Sequence, residues 1–377
     1  MSSRSRRVAV ITGTRAEYGL LRSTLRAMRE HPRIEPRLVV TGMHLLRKFG
    51  RTIRDIERDS FPVAAVVPMQ RGTDDPLDQA EGLARGVRGI ARFLEREQID
   101  VVLVLGDRVE ALAGALAAVT TGRIVAHVHG GDVATGDFDD SLRHAITKLA
   151  HVHLAATKSA AARIVRLGEE KRRVYVVGAP GLDELREAIG PKRVRSLKRN
   201  EALVVQHPIG RSAAVERRVM AMILDEVWRA KLKPIIVYPN TDRGHAGIIA
   251  AIEAFTSAHP GAEAHRSLPR DEYLRRLASA RVLIGNSSSG IIEAATAGTP
   301  AVNVGDRQAG RERSGRSVID TDESRSSIRA ALSRAKRLRV AAGAKSVYGD
   351  GRAGSRIAAI LSRVPLDDAF RRKRITY

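Results

Sequence analysis

Short β-branched runs alternate with longer helical patterns along the chain, and that alternation leaves few folds open. In the first half the strand candidates are Val8–Thr12, Glu35–Val40, Val63–Val67, Val101–Leu105, Ile124–His129, His153–Ala156 and Val174–Val177. Helical stretches such as Gly19–Glu30 and Arg108–Thr120 lie between them. The runs are apolar without interruption, as expected for strands covered on both faces of a parallel sheet. After a basic helical stretch around 185–200 the pattern restarts, with Ala202–Gln206, Pro234–Tyr238, Ala262–His265, Val282–Ile284 and Ala301–Val304. This spacing predicts an α/β chain of two doubly wound, Rossmann-like domains. The expected division is 1–185, 186–364 and a basic tail at 365–377, with a cleft between the domains. Gly351–Val364 is expected to be helical and to pack back across the first domain.

Composition supports two cores and narrows the chemistry. The 377 residues suffice for two domains of ~100–200 residues each, and 43% hydrophobic content argues against global disorder. The absence of cysteine removes disulfides, thiolate metal sites and cysteine nucleophiles. No apolar run approaches the ~20 residues of a membrane span. The apolar sequel to the basic N-terminus is too short for a signal peptide, so a cytoplasmic protein is expected. The net charge of +23 invites a nucleic-acid reading. Against it, the cations are scattered through both halves, and at 3% the aromatics that stack on bases are scarce. Clusters at Lys192–Arg199 and Arg371–Arg374 fall where a linker and a tail are expected.

The chemical signals fall at the carboxyl ends of the strands, where open α/β sheets bind ligands. Gly285-Asn-Ser-Ser-Ser-Gly290 follows a strand and opens an Ala-rich helical segment containing Glu293. Small residues let backbone N–H groups converge there, and a helix N-terminus adds positive potential. The hydroxyls of Ser287, Ser288 and Ser289 add donors. After the next strand, Arg307 and Arg311 stand four apart as candidate diphosphate ligands. The alternative is an ordinary turn with a solvated basic loop. Gln206-His207-Pro208 and Tyr238-Pro-Asn240-Thr-Asp242 each pass singly as turns, but together they can line a diphosphate and sugar site.

In the first half, Gly13-Thr-Arg15 places Arg15 at a helix start, where it can hold a phosphate or a carboxylate of the protein. Asp107 and Arg108 end a buried strand, and Asp107 reads equally as a helix cap or a catalytic acid. His129, Asp132, Asp139, Asp140, Arg143 and His144 form a dense ionisable stretch; five of the eleven histidines lie between 127 and 153. Asp139–Arg143 and Asp140–His144 pairs at i,i+4 are the plain reading. A metal site is the other, disfavoured because no zincin-type spacing occurs.

These motifs carry a family resemblance. Gly-Thr-Arg-Ala-Glu-Tyr-Gly-Leu-Leu (13–21), Val-Thr-Gly-Met-His-Leu (40–45) and Leu-Gly-Asp-Arg-Val-Glu (105–110) resemble signatures of the hydrolysing UDP-N-acetylglucosamine 2-epimerases. So do the stretches at 139–151, 285–290 and 305–312, in order, over residues 8 to 364. The resemblance implies a GT-B-like fold and conversion of a UDP-GlcNAc-like substrate to UDP and a ManNAc-like sugar, for sialic-acid-type pathways. In the family, C2–H is removed and UDP expelled to give a glycal, to which water adds with inversion at C2. It implies no cofactor and no metal, a nucleotide-sugar as the partner rather than nucleic acid or membrane, and commonly a homo-oligomer. Asp107, with Asp139 or Asp140 and Arg143, becomes the acid–base set. Arg15, Arg108, His207, Asn240, Asp242, Ser287–Ser289, Gly290, Glu293, Arg307 and Arg311 become the substrate ligands.

One position departs from the pattern. Well-known members carry Glu where this chain has His129, so the base is either His129 or Asp132. The loop at Ala134–Phe138 also differs. Other readings are a glycosyltransferase with a UDP-sugar donor, an epimerase of a GDP-linked sugar, and a non-catalytic binder.

Overall fold

The computed structural model describes residues 5–73, 75–134, 138–193 and 200–376. Positions 194–199 of the basic cluster and 135–137 of the divergent loop therefore lie outside the described residues. The chain divides into two compact units. Unit 1 is Met1–Asp132, Phe138–Asp183 and Gly349–Tyr377; unit 2 is Val133–Asp137 and Glu184–Tyr348. The division differs from the sequence expectation at its end, because 349–364 goes with the first unit rather than the second.

The strands of unit 1 are β1 (Arg6–Thr12), β2 (Ile34–Thr41), β3 (Val63–Val67), β4 (Val101–Leu105), β5 (Ile124–Val128), β6 (Val152–Ala155) and β7 (Val174–Val176). They form one parallel sheet in the order β3-β2-β1-β4-β5-β6-β7. Between them run α1 (Arg15–Glu30), α2 (Ile53–Arg58), α3 (Pro76–Arg96), α4 (Val109–Thr120), α5 (Asp139–Leu149) and α6 (Lys158–Arg166). Side chains alternate across a strand, so β1 feeds two cores. Val8 and Val10 pack with Leu21, Leu25 and Leu103 on one face. Ala9 and Ile11 pack with Phe93, Val102 and Ala113 on the other. α1 begins at Thr14, whose hydroxyl accepts from the Glu17 N–H at 3.2 Å, a Thr N-cap.

α7 (Gly181–Arg193) carries the chain into unit 2. There β8 (Glu201–Val205), β9 (Lys233–Val237), β10 (Glu263–His265), β11 (Val282–Gly285), β12 (Ala301–Val304) and β13 (Val318–Thr321) form a second parallel sheet. Its order is β10-β9-β8-β11-β12-β13. Its helices are α8 (Ala213–Arg229), α9 (His245–Ala258), α10 (Arg270–Ser279), the single turns α11 (Ser289–Ile292) and α12 (Ala294–Ala297), and α13 (Arg325–Arg337). Its core joins Ala202, Val204, Ile236 and Ile284 to Ile223, Ile252, Ile328 and Leu332. Two doubly wound α/β sheets make the fold class the expected one.

The last segment, α14 (Ala353–Leu361) and α15 (Asp368–Arg371), returns to unit 1. Ile357 and Leu361 complete the core formed by Leu21 and Leu25. Asp183 caps α14 by accepting from the N–H groups of Ala353 (3.0 Å) and Gly354 (2.7 Å). Glycine is required at 354 because a Cβ would lie 2.8 Å from the Ser23 backbone. The basic tail is also docked. Lys373 pairs with the buried Glu169 at 2.7 Å and donates to the Ala150 carbonyl at 2.9 Å. The Arg173 guanidinium lies 4.1 Å over the Phe370 ring.

Candidate active site

In each sheet the strand order reverses at one point, between β1 and β4 in unit 1 and between β8 and β11 in unit 2. Ligands of open α/β sheets bind at such points. The motifs singled out in the sequence fall at both.

In unit 1, Gly106 follows β4 with φ of 77° and donates its N–H to the Val128 carbonyl at 2.9 Å. Asp107 follows. It is not the cap of α4, whose N-cap residue is Arg108 without a side-chain cap bond. Asp107 is instead ion-paired with Arg143 of α5. Arg143 is 1% exposed. Its Nη1 donates to the His129 carbonyl at 3.3 Å, and its Nε lies 3.7 Å from Asp140. One buried guanidinium therefore gathers Asp107, Asp140 and the His129 peptide. Asp139 starts α5 beside Asp140, and burial lowers the pKa of His144 despite the raising field of Asp140.

β5 stops at Val128, one residue before the expected end, because His129 takes the left-handed conformation with φ of 62°. For a residue with a Cβ this costs about 1–3 kcal/mol, and such strain clusters where side-chain placement matters. His129 Nδ1 lies 3.0 Å from Asp132 Oδ2, and both side chains are nearly buried. A carboxylate oxygen can only accept, so in the neutral ring the proton sits on Nδ1 and the Nε2 lone pair is left for chemistry. The two candidates for the base are thus partners. Sequence reading passed over His127. Burial pushes this histidine down to about 3, so it stays neutral. Its Nε2–H donates to the Gly106 carbonyl at 2.7 Å, locking the turn before Asp107.

Arg15 is paired with Asp55 at 2.7 Å. Arg108 meets Glu110 at 3.2 Å.

In unit 2 the Ser-rich turn is organised by a residue the sequence reading did not single out. Asn286 Oδ1 accepts from the His207 N–H and Nδ2 donates to the His207 carbonyl, both at 2.8 Å. The Asn240 N–H donates to His207 Nδ1 at 3.3 Å, so the His207 proton lies on Nε2. The Asn240 amide is bonded to the Asp242 carboxylate. Arg307 Nη1 and Gln308 Nε2 donate to the Asn286 carbonyl at 3.3 and 3.0 Å, which brings the Arg loop against the turn. Arg311 lies half-buried on that loop. Ser289 Oγ accepts from Tyr273 at 2.6 Å, and Ser287 Oγ accepts from the Ser289 N–H at 3.3 Å. Ser288 precedes α11, and Gly290 lies within it, packed near Leu283. The helix expected after this turn is two single turns broken at Glu293, so the turn does not open a long helix. Glu293 is 3% exposed and ion-paired with Arg270.

Among the described residues no three His, Asp or Glu side chains are grouped to hold a metal ion. No helix among them is long and apolar enough to cross a membrane.

A family model described as UDP-N-acetylglucosamine 2-epimerase matches residues 26–362. The chain belongs to the UDP-N-acetylglucosamine 2-epimerase family. Members of this epimerase family act on nucleotide sugars, and this chain is a nucleotide-sugar 2-epimerase. It is 35% identical over 372 residues to a UDP-N,N'-diacetylbacillosamine 2-epimerase (hydrolyzing) of Legionella pneumophila, covering 96% of this chain and 97% of that protein. It is 33% identical over 328 residues to a UDP-N-acetylglucosamine 2-epimerase of Neisseria meningitidis, covering 84% of each. Among solved structures, the epimerase from Methanocaldococcus jannaschii in complex with UDP-GlcNAc and UDP superposes with a TM-score of 0.75 at 20% identity, covering 94% of this chain and 99% of that one. The Neisseria meningitidis epimerase bound to UDP-GlcNAc gives 0.74 at 15% identity, with coverage of 94% and 99%. At these identities the structural likeness speaks for the fold: two Rossmann-like domains of the GT-B-like kind.

Proposed function

We propose that this epimerase is hydrolysing, and that it converts a UDP-linked 2-acetamido sugar and water to UDP and the free C2-inverted sugar. The observation that carries the reading is the assembly around Arg143, which holds Asp107, Asp140 and the His129 peptide together while Asp132 fixes the His129 ring. In the first step a base removes the C2 proton, the C1–O bond to the diphosphate breaks, and a glycal and UDP form. In the second, water adds at C1 and a proton is delivered to C2 on the opposite face. His129 Nε2 is the base, oriented by Asp132, and Asp107 is the second acid–base group, held in place by Arg143. Asp139 and Asp140 bound the sugar end of this set.

Charge develops on the departing diphosphate, so stabilisation belongs there. The His207 Nε2–H, the Ser287–Ser289 hydroxyls, Gly290 and the guanidinium groups of Arg307 and Arg311 suit it. Asn240, Asp242 and Glu293 are assigned to the nucleoside, and Arg15 and Arg108 to the phosphate side of the first unit. A UDP-linked 2,4-diacetamido-2,4,6-trideoxy sugar ranks ahead of UDP-GlcNAc, because the Legionella relative spans nearly the whole chain at 35% identity. A free ManNAc-type product suits sialic-acid-type biosynthesis. The test is UDP release from each sugar without an acceptor. Release supports hydrolysis, whereas a UDP-sugar inverted at C2 with its UDP retained overturns it.

A further inference from the structure

Glu110 lies in the first turn of α4 and is fully buried. A carboxylate there is ordinarily explained by the helix N-terminus. Its bonds point elsewhere. Oε2 accepts from Arg108 Nε at 3.2 Å and Oε1 from Gln70 Nε2, beyond the end of β3, at 3.1 Å. Two further turns press on it through glycines. A Cβ on Gly13, at the end of β1, would come within 2.5 Å of Glu110 Cγ. One on Gly42, at the end of β2, would come within 2.4 Å of Oε1. The loops leaving β1, β2, β3 and β4 therefore converge on one carboxylate, beneath the β1/β4 switch point. Arg108 adjoins Asp107, and the Gly13 turn leads into Arg15.

We propose that Glu110 is a positioning residue for the reaction: its carboxylate fixes Arg108 and the Gly13 turn, and so sets Asp107 and Arg15 in place. The assignment rests on the epimerase chemistry proposed above, in which Asp107 exchanges protons with the substrate.

A second buried acid makes the arrangement sensitive to pH. Glu17 Oε2 accepts from the Gly13 N–H at 2.6 Å, and Oε1 is buried with no hydrogen-bond partner among the described residues. Burial raises the Glu17 pKa to about 8, the Gly13 N–H opposes this, and the field of Glu110 adds to it. The charged groups that face it are Glu110 and Arg108, which act in opposite senses. Nearby, His44 lies between the Thr12 and Thr52 hydroxyls and is held neutral by burial, and Arg15 is paired with Asp55. Near neutrality Glu17 is protonated and adds no negative charge beside Arg108. Above pH 8 a second negative charge competes for it.

The test uses the full chain with Glu110→Gln and Glu17→Gln, each checked for folding by circular dichroism. Glu110→Gln is expected to lower kcat by roughly 10–100-fold, as for a reacting group displaced by about an ångström, with a smaller rise in KM from the loosened Arg108 and Arg15. Wild-type kcat is expected to fall as pH rises through about 8, and Glu17→Gln to lose that fall. A folded Glu110→Gln protein with wild-type kcat, or an unchanged alkaline limb in Glu17→Gln, overturns the proposal. One further readout needs no substrate. The side-chain Nε–H resonance of Arg108, identified by its loss in Arg108→Lys, is expected to be protected from exchange in the wild type and unprotected in Glu110→Gln. If the wild type turns over neither sugar, the reaction assignment fails. The Arg108 resonance then still decides whether Glu110 holds Arg108.

Discussion

Removing the Asp132 charge while keeping its shape tests the division of labour between Asp132 and His129. The His129 Nδ1–Asp132 Oδ2 bond is 3.0 Å long and nearly excluded from water. A hydrogen bond to a charged group in such a setting contributes about 1.5–3 kcal/mol, which converts to roughly 10–100-fold in rate. Asp132→Asn also permits the wrong histidine tautomer, since its amide can donate to Nδ1, so the loss in kcat is expected to be about 100-fold. Replacing His129 removes the base itself and is expected to cost about 10²–10⁴-fold. Asn is the better replacement than Gln, because Asn tolerates the φ of 62° that this position adopts. If Asp132 acts through His129, the double variant is no slower than His129→Asn alone, and the coupling energy equals the whole Asp132 effect. The assay is steady-state UDP release with each UDP-sugar. Additive losses, or an Asp132→Asn protein slower than His129→Asn, would refute the dyad and make Asp132 the base.

Asp107→Asn is expected to fold normally and to lose about 10²-fold or more in kcat; near-normal turnover removes Asp107 from the mechanism. Asn286→Ala takes away both bonds to the His207 peptide, and at about 0.5–1.5 kcal/mol each should weaken UDP binding by roughly ten-fold in calorimetry. An unchanged Kd would mean that His207 is held by other contacts. For Glu169, burial alone would raise the pKa, but the hydrogen bonds from His153, Lys148 and Lys373 outweigh it and hold the group at about 2. Because the folded pKa lies below the unfolded one, this stability is present above about pH 4.5 and is lost as pH falls toward 2. It amounts to at most about 3 kcal/mol. Urea melts of wild type and Glu169→Gln should therefore converge below pH 3 and diverge above pH 5; a constant gap across that range would contradict the linkage.

The strands buried on both faces were legible because continuous apolar runs have few other uses, and β4 (Val101–Leu105) lies at its expected residues. β13 was not, because Val318-Ile319-Asp320-Thr321 has only two apolar residues and forms the outer strand of its sheet. The basic tail read as a charge run because its complement, Glu169, lies some two hundred residues earlier and is buried only once β6 and α5 are in place. Candidate site residues stood out where glycines adjoin polar or ionisable groups in one stretch, as at 105–108 and 285–289. The dyad was visible only as two alternatives, since a three-residue offset becomes a contact through the left-handed turn at His129. His127, Glu110 and Asn286 sat inside stretches already noted. Their roles depend on burial and on backbone groups of distant loops, which no local pattern encodes.

The most direct test of the central claim is proton NMR of the purified protein in D₂O, without added metal, using UDP-2,4-diacetamido-2,4,6-trideoxyglucose and UDP-GlcNAc in parallel. The account predicts free UDP together with a C2-inverted free sugar carrying deuterium at C2 from at least one of them. A free sugar that keeps its C2 proton, or a UDP-sugar that is epimerised without release of UDP, would contradict elimination and hydration at this site.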